Sequence, residues 1–534
     1  MKMIKLICLL LCLSTVNIAM GQDYLKRFKQ LDVLNYDLKI NLFEKQNKIV
    51  VNENVTIQFL QKTDSFQLDL VGRFEDSLGM KVSSITYENQ PISFKQYSDK
   101  ITLYSSSISK GDNSTFSIQF EGIPTDGLII GQNKFGERTY FADNWPMRAK
   151  HWFACVDHPS DKAMVKIEIK APKGYEVVSN GMEISFTTSH PQNTSIYFET
   201  KIPIPTKVIV FGAANFEKQT LARKKNQVEI TNFVYPQDKE KGFKDFEQTD
   251  TILSYFEAKI GKFPFEKLYN VQSTTMYGGM ENAGCIFYDE KVITGKGNIN
   301  ELIAHEIVHQ WFGNSATELD WPHLWLSEGF ATYLTDLYIE DHKGKGAFLS
   351  QLRKQREAVI RFSTKNKLPL KDTLSTNTQD MLNTNAYQKG AWILHMLREK
   401  IGKELFWKAI ATYYDTYKFS NATSKDFIHV FEQVTHTNLT QFYEEWICQS
   451  GHPILTYSIA QKEEKVKIKF SQIQPENFHF SLEFLVLYED NTKEIKTLLF
   501  KDKEANLEWA TQKKVTSLKL DPNFKLLFEE KNKP

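Results

Sequence analysis

Apolar residues in this chain change their period twice, and those two changes constrain the fold more than any other feature. From about Tyr36 to Phe216 they alternate, at Tyr36, Leu38, Ile40 and Leu42, then at Val55, Ile57 and Phe59, then at Phe66, Leu68 and Leu70. Alternation puts every second side chain on one face of a strand, and the Asn, Asp, Gly and Pro between the runs supply turns. After Phe216 the steps become three and four residues, at Phe246, Thr249, Leu253, Phe256 and Ile260, and stop at Gly261. That is the pattern of an amphipathic helix with a glycine stop. Helical spacing continues from Asn300 to Trp311, from Glu328 to Ile339, and through Phe427, Val430, Phe431 and Val434 to Phe442, Tyr443 and Trp446. Past Gly451-His452-Pro453 alternation returns at Val466, Ile468 and Phe470 and in the run Phe484 to Tyr488. The expected fold class is multidomain α+β: an all-β domain over 22–216, a mostly helical domain over 217–450, and a small β-sandwich over 451–534.

A chain of 534 residues also exceeds what one core normally organises, so two to four domains are expected. The formal net charge of +1 lacks the basic excess that a phosphate backbone would attract, which argues against nucleic acid as a partner. At the N-terminus Lys2 and Lys5 precede an apolar run, Ile7 to Leu13, and Ala19-Met20-Gly21 supplies small residues at the spacing of a cleaved leader. Residues 1–21 are therefore expected to be a signal peptide that exports the chain to a periplasmic or extracellular compartment. The run is too short to span about 30 Å of hydrocarbon, and no transmembrane segment is expected. Cys155, Cys285 and Cys448 follow the leader without a CxxC pair or dense spacing, so neither a disulfide framework nor a thiolate metal site is expected.

The chemistry is concentrated in Glu301-Leu-Ile-Ala-His305-Glu306-Ile-Val-His309-Gln-Trp311. Residues four apart on a helix share a face, so His305 and His309 can reach one cation while Glu306 projects beside it. Imidazole nitrogen suits zinc, and a catalytic zinc takes three protein ligands and leaves a position for water. Eighteen residues separate His309 from Glu328, at the start of the next amphipathic helix, and Glu328 is the expected third ligand of one Zn2+ per chain. Glu306, next to a ligand, is placed to act as general base and then as acid to the leaving amine. By composition His-Glu-x-x-His arises by chance in roughly 2% of such chains. The helical context and the later glutamate make coincidence the weaker explanation. His323, His342, His395 and His452 have no partner spacing and are expected in packing or surface roles.

Four blocks give the chain a family resemblance: Tyr277-Gly278-Gly279-Met280-Glu281-Asn282-Ala283-Gly284, His305 to Asn314, Leu324 to Thr332, and Asn385-Ala386-Tyr387-Gln388-Lys389-Gly390. In this order they resemble the gluzincin aminopeptidases typified by aminopeptidase N and leukotriene A hydrolase. Cys155-Val-Asp-His-Pro159-Ser-Asp-Lys162-Ala extends the likeness into the β region. The resemblance implies a thermolysin-like catalytic domain, peptides with a free N-terminus as substrates, and a Tyr387 hydroxyl that stabilises the developing oxyanion. It further implies that Gly278, Gly279, Met280, Glu281 and Asn282 bind substrate, with Glu281 pairing with the α-ammonium and the two glycines allowing backbone approach. Two departures stand out. Where such proteins place a second amine-binding Gln or Glu, this chain reads Tyr140-Phe-Ala-Asp143-Asn144-Trp145-Pro146, with Asp143 or Asn144 as candidate substitutes. After Gly451 there is room only for a short β domain instead of the large helical domain many of them carry. The alternatives are an inactive peptide-binding protein on the same scaffold, against which the intact His305, Glu306, His309, Glu328 and Tyr387 stand, and an epoxide hydrolase-like activity, for which no lipid tunnel is indicated.

Overall fold

A computed structural model describes residues 27–531 apart from 74–77, 191–192, 223 and 225–226. The expected signal peptide over 1–21 lies outside the described residues. Internal contacts divide the chain into two units, 1–254 with 262–317 and 255–261 with 318–534.

The alternating segments of the first unit form strands. β1 (Leu31–Asn41) pairs antiparallel with β2 (Ile49–Phe59), and β2 with β3 (Asn113–Ile123). On its other side β1 runs parallel to β4 (Lys162–Pro172), with Tyr36 opposite Val165. These are the centre of a sheet of nine strands among the described residues. Tyr36, Leu38, Ile40, Val55, Ile57 and Phe59 are all buried, as the alternation requires, each contributing about 1.5–3 kcal/mol by leaving water.

Under this sheet lies a buried polar seam. The Tyr36 hydroxyl donates to Asp161 Oδ2 (3.1 Å) and accepts from the Val156 amide (3.1 Å), while the Val33 amide donates to Asp161 Oδ1 (3.3 Å). Asp157 accepts from the Lys150 amide (3.2 Å), and Arg27 pairs with Asp69 (2.8 Å). Burial pushes both Asp157 and Asp161 up to about 7. In an unfolded chain Asp161 titrates near 3.8. The stability it contributes is therefore full below that value and is lost as pH rises to about 7, at roughly 1.4 kcal/mol per pH unit. Asp161→Asn is expected to flatten the fall in melting temperature between pH 5 and pH 7; an unchanged slope would show that Asp161 is ionised throughout.

From Glu217 the first unit forms a second kind of sheet, in the order β5 (Glu217–Thr220), β6 (Glu229–Val234), β7 (Lys267–Ser273), β9 (Cys285–Asp289), β8 (Gly279–Met280). β6, β7 and β9 run parallel, and β8 returns antiparallel at the edge. The helical spacing that begins at Phe246 predicts a mostly helical domain over 217–450 and gives no sign of this sheet. In β6 and β7 the buried apolar residues Ile230, Phe233, Leu268 and Val271 are interrupted by buried polar ones, which breaks the hydrophobic pattern: Asn270 donates to Asn232 Oδ1 (2.8 Å), and Gln272 donates to Asp238 Oδ2 (2.7 Å) while accepting from the Tyr235 amide (2.9 Å). Between β6 and β7 lie α1 (Lys239–Asp245) and α2 (Thr249–Ile260), so the expected helix through Phe246 is broken there and ends at Gly261, whose φ is +135°. α3 (Asn300–His309) follows β9.

The second unit holds α4 (Trp325–Lys343), α5 (Lys345–Lys365), α6 (Gly390–Ile401), α7 (Lys403–Tyr417) and α8 (Ser424–Thr435). A capping box starts α8: the Thr423 hydroxyl accepts from the Asp426 amide (3.2 Å) and Asp426 accepts from the Thr423 amide (2.8 Å). His323 and His395 are buried in packing roles; His395 donates from Nε2 to Phe524 O (2.7 Å) and takes the Tyr333 hydroxyl on Nδ1 (3.0 Å).

The C-terminal strands form two sheets. β10 (Ile454–Lys462), β11 (Lys465–Gln472) and β14 (Glu504–Ala510) belong to one; β12 (Phe480–Tyr488), β13 (Lys493–Phe500) and β15 (Val515–Leu520) make the other. Phe470 meets Phe484 at 5.3 Å and Phe500 at 6.2 Å between them. Arg356 of α5 reaches this domain: its guanidinium bonds Asp521 and Leu526 O and lies 4.8 Å from the rings of Trp392 and Phe524. No helix among the described residues is long and apolar enough to cross a membrane. Cys155, Cys285 and Cys448 are free thiols.

Candidate metal centre

α3 buries Ile303, Ala304, Ile307 and Val308 and turns His305 and His309 to one side. Their Nε2 atoms stand 3.1 Å apart. His309 Nδ1 lies 3.3 Å from the Phe312 carbonyl, which can only accept. Nδ1 therefore carries the proton and Nε2 offers its lone pair. Two nitrogens on a zinc at about 2.0–2.1 Å with tetrahedral angles would be about 3.3 Å apart. The imidazole pair fits a small cation of that kind.

Glu306 is buried beside them, and Glu281, Glu306 and His309 each offer an oxygen or nitrogen within 4.8 Å of the other two. Glu281 reaches this place because β8 and the loop after it are bonded directly to α3. Gln310 donates to Glu281 O (2.8 Å) and Glu306 O (3.2 Å) and accepts from the Gly284 amide (2.9 Å); Asn314 also donates to Glu281 O (2.5 Å). From the β-rich side Asn180 donates to Ala283 O (2.8 Å). β8 presses so closely on α3 that a Cβ on Gly279 would stand 2.3 Å from Glu306 Oε1. Gly278 meets nothing within 4 Å, whereas Met280 and Asn282 are buried, Asn282 completely. Nothing in the sequence points to Asn180, and Gln310 and Asn314 are legible only as parts of the His305–Asn314 block.

Glu328 and Tyr387 belong to the second unit. Glu328 sits buried in the first turn of α4, whose start is fixed by Trp325: its indole donates to Ser424 Oγ (2.8 Å) and packs on Phe427 at 5.3 Å. Tyr387 is half-buried in a π-helical turn, Asn385–Lys389, that leads into α6, a distortion common at functional sites. Gly329 and Gly390 let these two elements touch: a Cβ on either would stand 2.9 Å from the other's Cα. The residues next to Glu328 and shortly after Tyr387 therefore have to be this small.

Residues 244–446 match the Peptidase family M1 domain, and residues 33–208 match the Peptidase M1 N-terminal domain. The chain belongs to the M1 peptidase family. Its M1 relatives include probable aminopeptidase 2 of Sulfurisphaera tokodaii, 26% identical over 404 residues, covering 72% of this chain and 50% of the relative. The leucyl aminopeptidase of Saccharolobus solfataricus is 25% identical over 468 residues, covering 84% and 58%. The glutamyl aminopeptidase of Sus scrofa is 30% identical over 332 residues, covering 59% and 35%. The chain thus spans about half the length of the first two M1 relatives and about a third of the last. His305, Glu306, His309, Glu328 and Tyr387 all lie in the M1 domain match, as do Gly278 to Asn282.

Proposed function

We propose that this chain is a zinc aminopeptidase that hydrolyses the first peptide bond of substrates with a free N-terminus. The observation that carries this is the convergence on α3 of two imidazoles, whose Nε2 atoms stand 3.1 Å apart, with two buried carboxylates, Glu306 and Glu281. His305, His309 and Glu328 are the proposed ligands of one zinc per chain, supported by donor chemistry and by the M1 match. When bound, zinc supplies Lewis acidity toward the scissile carbonyl and lowers the pKa of a water.

The chain's own residues do the rest. Glu306 takes the proton of the attacking water and passes it to the leaving amine. The Tyr387 hydroxyl donates to the oxygen on which negative charge develops. Glu281 pairs with the α-ammonium and so counts one residue from the end, which a blocked or uninterrupted chain cannot satisfy. Gly278 and Gly279 offer backbone along the edge of β8 to an extended substrate, and Met280 and Asn282 support that edge from inside. The proposed catalytic domain is thermolysin-like and runs over 217–450, between a β domain at 22–216 and a β-sandwich at 451–534. Export through a leader at 1–21 is supported by Lys2, Lys5 and the run Ile7 to Leu13.

A panel of aminoacyl chromogenic amides, each beside its N-acetylated form and assayed with and without a chelator, tests this. Cleavage confined to free-amine substrates and lost with chelator is the expected result. Equal cleavage of blocked substrates would remove the role given to Glu281, and no cleavage of any would leave a peptide-binding protein.

A further inference from the structure

The β-rich stretch Tyr140 to Pro146 was expected to supply a second group beside the substrate amine, with Asp143 or Asn144 as candidates. Both are held by internal bonds. Asp143, fully buried, pairs with Arg148 (2.6 Å) and accepts from the Thr275 hydroxyl (2.9 Å) and the Met276 amide (3.3 Å). Asn144 donates to Thr206 O (2.9 Å) and Ile209 O (2.5 Å) and accepts from Trp152 Nε1 (2.7 Å). From the same stretch it is Trp145 that reaches Glu281, donating its indole N–H to Oε1. The Lys207 ammonium lies 4.9 Å from the centre of the Trp145 ring, and both side chains are almost completely buried.

We infer that Trp145 is a positioning residue that holds the Glu281 carboxylate for the substrate's α-ammonium, backed by Lys207. The inference rests on the aminopeptidase function proposed above. A carboxylate on a flexible three-bond side chain binds a cation well only if its oxygens are fixed, and one indole N–H fixes Oε1 while leaving Oε2 to the amine. The cation over the ring draws electron density from the indole and makes its N–H a stronger donor. Trp145 acts through Glu281, so amine recognition here depends on how that carboxylate is held.

Kinetics of the wild type with W145F, W145Q and W145H separate this from a merely structural role. W145F keeps an aromatic ring and removes the donor; Gln and His each restore a side-chain N–H. W145F is expected to raise KM for a free-amine aminoacyl amide about tenfold with kcat within about twofold, the scale of one hydrogen bond to a charged group. W145Q or W145H should recover most of that loss, and in an E281Q background W145F should change nothing further. A W145F protein with wild-type KM overturns the inference, as does a fall in kcat at constant KM shared by all three variants. Should W145F melt early, the inference stands or falls on whether W145Q and W145H keep KM within about threefold of wild type. A wild type that cleaves no substrate of the panel overturns the proposed function instead, and the inference with it.

Discussion

Glu306→Gln is expected to yield a folded protein with its full metal content and a kcat about a thousandfold lower, since a positioned general base contributes about 10²–10⁴ in rate. Gln has the size of Glu and keeps one oxygen acceptor, but it cannot accept the proton of the attacking water. Glu306 is buried against β8, so a change of shape there would also disturb Glu281; the isosteric substitution avoids that. Steady-state kinetics and metal analysis on the same preparation check the expectation. A variant that has lost its metal would make Glu306 a ligand, and one that keeps wild-type kcat would place the base elsewhere.

Gly279→Ala is expected to remove activity by at least about a hundredfold without unfolding the chain. The added Cβ would lie 2.3 Å from Glu306 Oε1 and 2.6 Å from its Cδ. The cheapest relief is for the carboxylate to swing aside, because it is the free end of a side chain while β8 is bonded along its length to β9. A shift of about 1 Å in a catalytic group can cost 10²-fold. Gly278→Ala is the control: its Cβ meets nothing within 4 Å, and it should stay within about tenfold of wild type. Equal losses in the two variants would show that the clash with Glu306 is not the cause.

What could be read from the sequence was what is local. Alternation located β1 and β2 because one face is apolar, and the four-residue spacing of His305 and His309 set both rings on one side of α3. What could not be read depends on distant register. Trp145 and Glu281 are 136 residues apart, and Asn180 and Ala283 are 103 apart. Nothing in the composition near Trp145 distinguishes it from a packing tryptophan. The parallel strands β6 and β7 were missed because Asn232, Asn270 and Gln272 occupy buried positions that a hydrophobic pattern scores as surface. Their bonds to one another remove the penalty of burial, and such pairing is visible only once the strands are side by side.

Arg356 has a consequence for how the second unit comes apart. Its guanidinium is largely buried at 14% exposure, with Asp521 as counter-charge and aromatic rings on the helical and the C-terminal side. His395 of α6 is tied to the same C-terminal segment through Phe524 O. Loosening the β-sandwich would leave a cation in an apolar setting with its carboxylate gone, a loss of about 3–5 kcal/mol felt first by α5 and α6. The sandwich and the helices that carry Tyr387 and Glu328 are therefore expected to unfold in one calorimetric transition, and a chain shortened at Gly451 to lose helical order along with its last strands.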